Sequence, residues 1–410
     1  MWFYVDPILV HYQIADAAAN NFPRGNLSDL YPRWLGAREL LLHGADPYSQ
    51  QVTVEIQKGY YGRALNPLRP EDPKDQQAFA YPIYIVFLFA PTVRLPFDLV
   101  RSWSWWILVG LSLTTVVLWL KVLRLKLSIA GLFICGALLL GSFPAVQGIK
   151  LQQLSLLVAG LLAVGAALLA GGQMFLAGAV LALATIKPQL SAPLLAWLFI
   201  WTISNWKARW RFAAGFGGTM ALLLAASEYV LPGWLGMFWR AIKRYRDYTG
   251  SQSILDQLVN WGLGRWGGSI VAAIAVLGCG AVLWRLRGEE AGSENFGRAI
   301  ALVLALTLLI IPMNSPYNQV LLLPAVLLLA REAGSLTRGS RAVRIMYLLG
   351  AFSLAWGWIA SMGLTVVWFF SQAAAMDARK LPLFTTFSVP VFVFALALIS
   401  VRQHAQQHIS

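Results

Sequence analysis

The chain has 410 residues, 58% hydrophobic and only 12% charged, with a mean hydropathy of +0.62 and a formal net charge of +14. Soluble domains are about 45–50% apolar and about 25% charged, so this composition excludes a soluble globular domain and indicates a polytopic membrane protein. The charge does not point to nucleic acid either. Lys and Arg flank apolar runs, as the positive-inside rule requires, and form no basic stripe interleaved with stacking aromatics.

Eighteen Trp fit the aromatic belts of membrane–water boundaries. Cys135 and Cys279 both fall in apolar runs and give neither a disulfide framework nor zinc spacing. The four His, at 11, 43, 404 and 408, form no ligand cluster. No metal and no other cofactor is expected.

Taken in order, residues 1–80 are polar, with short amphipathic pieces. Residues 1–10 are too short for a cleavable signal peptide and carry Asp6. Nine of the 18 acidic residues lie at or before Asp75, which makes this segment the chemically dense part of the chain. Residues 30–42 read as a helix with Ser28 or Asp29 as N-cap and Gly44 as stop. Asp46-Pro47-Tyr48 is a turn signal, and residues 67–74 are a charged, proline-containing loop. Residues 80–96 are apolar but broken by Pro82, Pro91, Arg94 and Pro96, which suits a short membrane helix or a re-entrant hairpin.

Apolar runs follow at roughly 103–120, 128–145, 154–171, 173–186, 190–204, 211–231, 268–284, 298–312, 318–330, 344–370 and 386–401. Counted as helices crossing about 30 Å of hydrocarbon, they give an all-α fold of about 11–12 membrane helices. Residues 1–80 form its extracytoplasmic loop region and 81–410 its transmembrane domain. Basic clusters at 121–126, 207–211, 285–298 and 331–344, with Arg402, fall on one side by strict alternation, which assigns that side to the cytoplasm. The other side receives the N-terminal segment and the polar stretches 147–153, 187–189, 232–267, 314–319 and 371–385. One group dissents: Arg240, Lys243, Arg244 and Arg246 lie outside, where binding an anionic lipid phosphate would explain them.

Several side chains on that outer face are candidates for chemistry, each with a plainer structural role. Asp29 suits a general base that takes a proton from an attacking hydroxyl, and equally an N-cap. Asp46 suits binding of sugar hydroxyls, but an Asx-Pro turn explains it as well. Tyr48 accompanies it. His43 reads as a helix-end residue. Lys187, in ATIKPQL, either snorkels to the interface or holds a lipid-borne phosphate. Pro188 breaks the helix beside it, and Gln189 follows. Lys150, Gln152 and Gln153 form a second polar knot, and residues 314–319, with Asn314 and Tyr317, a third. Glu228 is placed to pair with one of these cations. There is no Walker A loop, GxGxxG, HExxH or GxSxG, and no inverted repeat with paired broken helices.

Asp29, the run YPRWLGARELLLHGADPY, then FAYPIYIVFLFAP with LPF, resembles glycosyltransferase family 87, whose members are polyprenyl-phosphate-mannose-dependent mannosyltransferases of the GT-C fold. Gln152-Gln153-Leu154-Ser155 is similar to the family's Gly-Gln-hydrophobic-Asn/Ser knot, with Gln in place of Gly. Lys187-Pro188-Gln189 is similar to its Lys-Pro-Gln. Ile83 stands where the family has the second proline of a Tyr-Pro-Pro. A GT-C enzyme also has a transmembrane helix before its first loop, and Met1 to Ser28 lacks one.

The resemblance implies a metal-independent, inverting transfer of a hexose, mannose above all, from a polyprenyl-phosphate donor to a lipid or glycan acceptor on the extracytoplasmic face of a bacterial inner membrane. Asp29 is then the catalytic base. Asp46, Tyr48, Gln153, Lys187, Gln189, Arg240, Arg244, Asn314 and Tyr317 are the substrate-binding candidates, with Lys187 on the donor phosphate. Donor, acceptor and membrane lipids are the expected partners, and nucleic acid is not. The rival class is a transporter of a glycolipid precursor or a non-catalytic relative.

Overall fold

The computed structural model describes residues 1–66, 68–250, 252–312 and 315–407, and Asn314 therefore lies outside the described residues. Every regular element among them is helical. Backbone groups in hydrocarbon have no water to bond, so an apolar chain of this kind satisfies them within helices.

The Glu294–Ile310 helix stands at the centre. Its residues from Asn295 to Leu309 are all buried, and a helix apolar all round belongs in a core. The peripheral helices Trp206–Val230, Gly267–Arg285 and Arg341–Phe370 instead present exposed apolar side chains, among them Leu222, Leu277 and Phe352. Helices Met174–Leu183 and Trp206–Val230 cross with their backbones in contact: a Cβ on Gly178 would meet Phe212 O, and one on Gly215 would meet Phe175 O. Small residues allow such crossings where hydrophobic driving force between helices is weak.

Among the described residues five helical stretches are long and apolar enough to cross a membrane: Phe97–Val122, Trp206–Val230, Gly267–Gly288, Arg341–Phe370 and Gln372–His404. A sixth arises if Ile129–Leu140 and Phe143–Lys150, bent by 61°, count as one. The expected count of 11–12 comes from apolar runs, and nearly every run is indeed a helix, but several are short. Leu154–Ala170 and Pro188–Ser204 have 17 residues each, which rise about 26 Å, less than the roughly 30 Å of a full crossing. They begin at the polar knots Gln152–Gln153 and Lys187, so the knots sit in a recess.

The two ends of the bundle differ as the charge pattern requires. At one end Arg209 donates to the carbonyls of Arg287 (2.9 Å), Gly288 (3.0 Å) and Glu289 (2.8 Å). Arg298 pairs with Glu332 at 3.1 Å, and Arg331 reaches Leu123 O. The basic clusters thus meet at one end, and the polar knots lie at the other.

The short pieces expected within residues 1–28 join end to end: Tyr4–Val10, with π-helical geometry around Pro7, runs into His11–Ala19. Tyr4, Val5 and Ile8 pack against Phe143, Val146 and Leu364. Within 80–96 the α-helix is only Ile85–Phe89, five residues, too short to cross; the prolines on either side stop it. Neither Ser28 nor Asp29 caps the next helix, which is Tyr31–His43 and starts after Leu30 with no side-chain cap. Pro32 in its first turn needs no donor partner, and Gly44, left-handed at φ 65°, ends it.

Ser28 and Asp29 are instead fastened to the body. The Ser28 hydroxyl donates to Gln152 Oε1 at 2.6 Å, and the Asp29 amide donates to Leu151 O at 2.9 Å. Gln152 is buried and left-handed, φ 48°, at the position where the family pattern has glycine. A non-glycine residue there costs about 1–2 kcal/mol. Its side chain compensates by bonding Ser28, Ile149 O and Lys150 O. Gln152→Ala keeps the strain and loses the bonds, and should destabilise by about 1–3 kcal/mol. Gln152→Gly should destabilise less, by about 1 kcal/mol. Thermal unfolding of both variants in detergent checks this order.

Candidate active site

A cavity of about 430 Å³ opens at the end of the bundle that carries the polar knots. Its walls come from four places. The N-terminal segment gives Asp29, Arg33, Asp75, Gln77 and Tyr81. The helix breaks give Gln153, Lys187 and Gln189. The Trp234–Thr249 helix gives Phe238, Ile242, Tyr245 and Arg246, and the stretch before Pro316–Leu322 gives Ser315, followed by Tyr317 and Asn318 within it.

Asp29 comes off a turn, so both carboxylate oxygens are free of helix-capping duty. Oδ1 accepts from the Tyr60 hydroxyl at 3.2 Å and Oδ2 accepts from Gln153 Nε2. Burial and the Asp29 charge push the Tyr60 phenol above its ordinary pKa, so it remains a donor. Arg33, one helical turn on, donates to the Asp29 carbonyl at 2.6 Å and lies over the Tyr81 ring at 4.5 Å. Burial works against its charge, but Tyr81 and Asp29 more than offset this and its pKa is raised.

Lys187 lies at the break between Ala184–Ile186 and Pro188–Ser204 and is only 7% exposed. Its ammonium donates to Gln153 Oε1 at 3.2 Å and Ser155 Oγ at 2.6 Å, and stands 5.1 Å from the Tyr317 ring centroid. Ser155 in turn donates to Asn318 Oδ1 at 2.8 Å. Among the described residues no carboxylate forms an ion pair with Lys187. A buried cation without one is costly, and an anionic ligand would remove that cost. One side chain, Gln153, therefore joins the carboxylate to the ammonium, its Nε2 on Asp29 and its Oε1 on Lys187.

The other expected residues are placed differently. Asp46 Oδ1 accepts from the Tyr48 amide at 2.8 Å, an Asx turn. The Tyr48 hydroxyl donates to Tyr81 O at 2.6 Å. Neither lines the cavity; they buttress the Tyr81 loop. Arg244 donates to Tyr48 O and Arg240 is exposed, whereas Arg246 reaches the cavity wall. Helical periodicity decides this, because only residues three or four apart share a face. Glu228 accepts from the Gly233 amide at 2.7 Å, closing its helix end, and pairs with no cation among the described residues. His43 lies beside Glu39 on the surface.

The sequence reading missed Arg33, Asp75, Gln77 and Tyr81. Gln77 has φ 51°, Leu27 φ 50° and Gln152 φ 48°, so three left-handed non-glycine residues surround one site, as is common where geometry is fixed for function. Asp75 Oδ1 and Oδ2 each accept from Gln77, through its amide and its Nε2, both at 2.9 Å. Burial raises its pKa, against the Gln77 bond and the Arg33 charge.

A second cavity, also of about 430 Å³, lies on the other side of the Pro316–Leu322 segment. Leu138, Phe143, Leu354, Trp358 and Val389 make it mainly apolar.

A raised carboxyl pKa means that the folded state binds the Asp75 proton more tightly than the unfolded chain does. The ionised form then costs stability; this cost is absent below the ordinary value of about 3.9 and is complete above the folded pKa. Asp75→Asn should therefore unfold at a higher temperature than the wild type at pH 7–8. The difference should shrink as pH falls through the Asp75 folded pKa. Melting curves of both proteins from pH 4 to 8 measure it.

No curated protein and no solved structure matches the chain. A model described as Glycosyltransferase family 87 matches residues 79–312, more than half of it. The match covers Gln153, Lys187, Gln189 and the Trp234–Thr249 helix, while Asp29, Arg33 and Asp75 precede it. With its all-helical build and its apolar spans, this chain belongs to glycosyltransferase family 87 and is a membrane glycosyltransferase.

Proposed function

We propose that the chain transfers a hexose, with mannose the sugar that the resemblance favours, from a polyprenyl-phosphate donor to a lipid or glycan acceptor at the extracytoplasmic face of a bacterial inner membrane. The observation that carries this reading is the Gln153 carboxamide, bonded at one end to Asp29 and at the other to the buried Lys187. It sets a proton acceptor and a phosphate-sized positive site within one cavity, a carboxamide and two hydrogen bonds apart.

In the transfer an acceptor hydroxyl attacks the anomeric carbon. A new C–O bond forms as the bond to the lipid phosphate breaks, and the electron pair leaves with the phosphate. The proton passes to Asp29. Attack from the face opposite the lipid phosphate inverts the anomeric centre, the stereochemical course that the resemblance favours. A lipid phosphate leaves as a stable anion, so one carboxylate suffices and no strong acid is required at the leaving oxygen. Lys187 holds that anion, and Arg246 lines the same cavity from the Trp234–Thr249 helix. Asn318 and Ser155 keep the ammonium in position. Gln189 and Tyr317 line the pocket around the sugar. Asp46 and Tyr48 act at one remove, through the Tyr81 loop. The apolar cavity behind Pro316–Leu322 suits a polyprenyl or acyl chain. Its wall continues into the phosphate site through Pro316 and Tyr317.

Because Asp29 caps no helix, Asp29→Asn should fold and bind donor normally. Turnover should fall by about 10²–10⁴, the usual contribution of a positioned general base. Membranes incubated with a labelled polyprenyl-phosphate sugar measure this. Turnover near wild type in a well-folded variant would remove Asp29 from the role. The same assay separates an enzyme from a transporter, which would move intact donor and make no glycosidic bond. Lys187→Ala should raise the donor KM by at least tenfold, and Lys187→Arg less. An unchanged donor KM in the alanine variant would show that the phosphate binds elsewhere.

A further inference from the structure

The helices Trp234–Thr249 and Ile254–Leu263 bridge two membrane spans, Trp206–Val230 before them and Gly267–Gly288 after. Both ends of the bridge are thereby tied to the same membrane surface. The first helix has two unlike faces. Trp234 and Ala241 are buried, and Phe238, Ile242 and Tyr245 line the polar cavity. Beside that face runs Leu235, Trp239 and Lys243, spaced by four, with Leu235 58% and Trp239 61% exposed. The Lys243 ammonium stands 5.8 Å from the Trp239 ring centroid, and Arg240 is exposed next to it.

The second helix repeats the arrangement. Ile254 and Leu255 are buried under it, while Trp261 is 88% and Leu263 70% exposed. Trp266, where the chain turns into the next span, is exposed with the Arg265 guanidinium 5.1 Å from its ring centroid. Isolated exposed apolar residues are ordinary. Three Trp and two Leu on one bridge, interleaved with Arg240, Lys243 and Arg265, are not. Trp favours the headgroup level of a bilayer, and an amphipathic helix with cations flanking its apolar stripe lies in that plane.

We infer that this two-helix bridge rests in the headgroup layer of an anionic lipid surface, with Trp239, Trp261 and Trp266 at the acyl boundary and Arg240, Lys243 and Arg265 on lipid phosphates. The membrane then holds one wall of the polar cavity in place, because the same helix presents Phe238, Ile242, Tyr245 and Arg246 to it. Membrane rather than a partner protein is favoured by the tethering of both ends to membrane spans and by the pairing of Lys243 with Trp239 and of Arg265 with Trp266. The inference does not depend on which sugar, or which reaction, the cavity serves.

The test uses the full chain, one copy per nanodisc, with Cys135 and Cys279 replaced by Ser and Ala. A nitroxide is placed at Trp239→Cys and, in a second protein, at Trp261→Cys. In discs containing anionic phosphatidylglycerol, dissolved oxygen should relax both labels several-fold more effectively than a water-soluble nickel chelate. In discs of phosphatidylcholine alone, access of the nickel chelate should rise. Ready access of nickel in both discs would place the bridge in water and overturn the inference. A label reached by neither reagent would mean cover by protein and would also overturn it. Equal access in the two discs would overturn the part assigned to anionic lipid. Transferase activity measured on the same labelled proteins is a separate readout, so failure of one reading is distinguishable from failure of the other.

Discussion

The site depends on one carboxamide. Gln153 donates to Asp29 and accepts from Lys187, and among the described residues is the one side chain that bonds both. Lys187 is buried at a helix break where no carboxylate pairs with it among the described residues, and Asp29 sits on a turn with no helix to stabilise. The amide of Gln153 is uncharged, so it links acid and cation without letting them neutralise each other. A direct Asp29–Lys187 pair would be satisfied internally and would offer little to an anionic ligand. With the amide between them, both charges remain available to the cavity.

Holding this arrangement costs stability at several points. Leu27, Gln77 and Gln152 adopt left-handed backbone that glycine would take more easily. Asp75 is desolvated, and Lys187 is buried. Such losses persist where surrounding contacts over-determine the geometry. Here the contacts are identifiable: Ser28 on Gln152, Tyr60 on Asp29, Tyr61 on Asp75 O, and Ser155 with Asn318 on Lys187. The apolar core that supports them is continuous from Leu30 and Phe79 in the N-terminal segment to Leu162 and Leu304 in the bundle. Residues 30–79 are therefore packed onto the bundle as part of the same core.

The helix lengths follow the same logic. The central Glu294–Ile310 helix is buried on every side from Asn295 to Leu309 and fixes the bundle. The helices that begin at Gln153 and Lys187 are shorter than a full crossing, which leaves a recess where irregular backbone can line a polar cavity. Non-helical backbone at such depth is tolerated only where protein or a water-filled cavity surrounds it. The breaks at Gln152–Gln153, Lys187–Pro188 and Ser315–Pro316 satisfy that rule, because all three face the same space.

Much of this was legible in the sequence. Membrane class and helical build follow from apolar runs whose length is set by bilayer thickness. The separation of basic clusters from polar knots follows from charge alone. The family was readable from short motifs in a fixed order, and Lys187-Pro188 could be recognised because a cation and a helix breaker interrupt an apolar run. Other features depend on contacts between distant segments and have no local signature. That Asp29 serves the cavity and no helix cap required Tyr60 and Gln153, 31 and 124 positions away, to be brought to it. Arg246 lines the cavity while Arg240 and Arg244 do not, because the helix's rotation about its axis is set by Trp234 and Phe238 packing below it. Asp75 and Arg33 looked like ordinary charged residues in a polar segment. Only folding that segment back over the helix breaks draws them partly out of solvent and onto the cavity wall, which changes a surface charge into a member of the site.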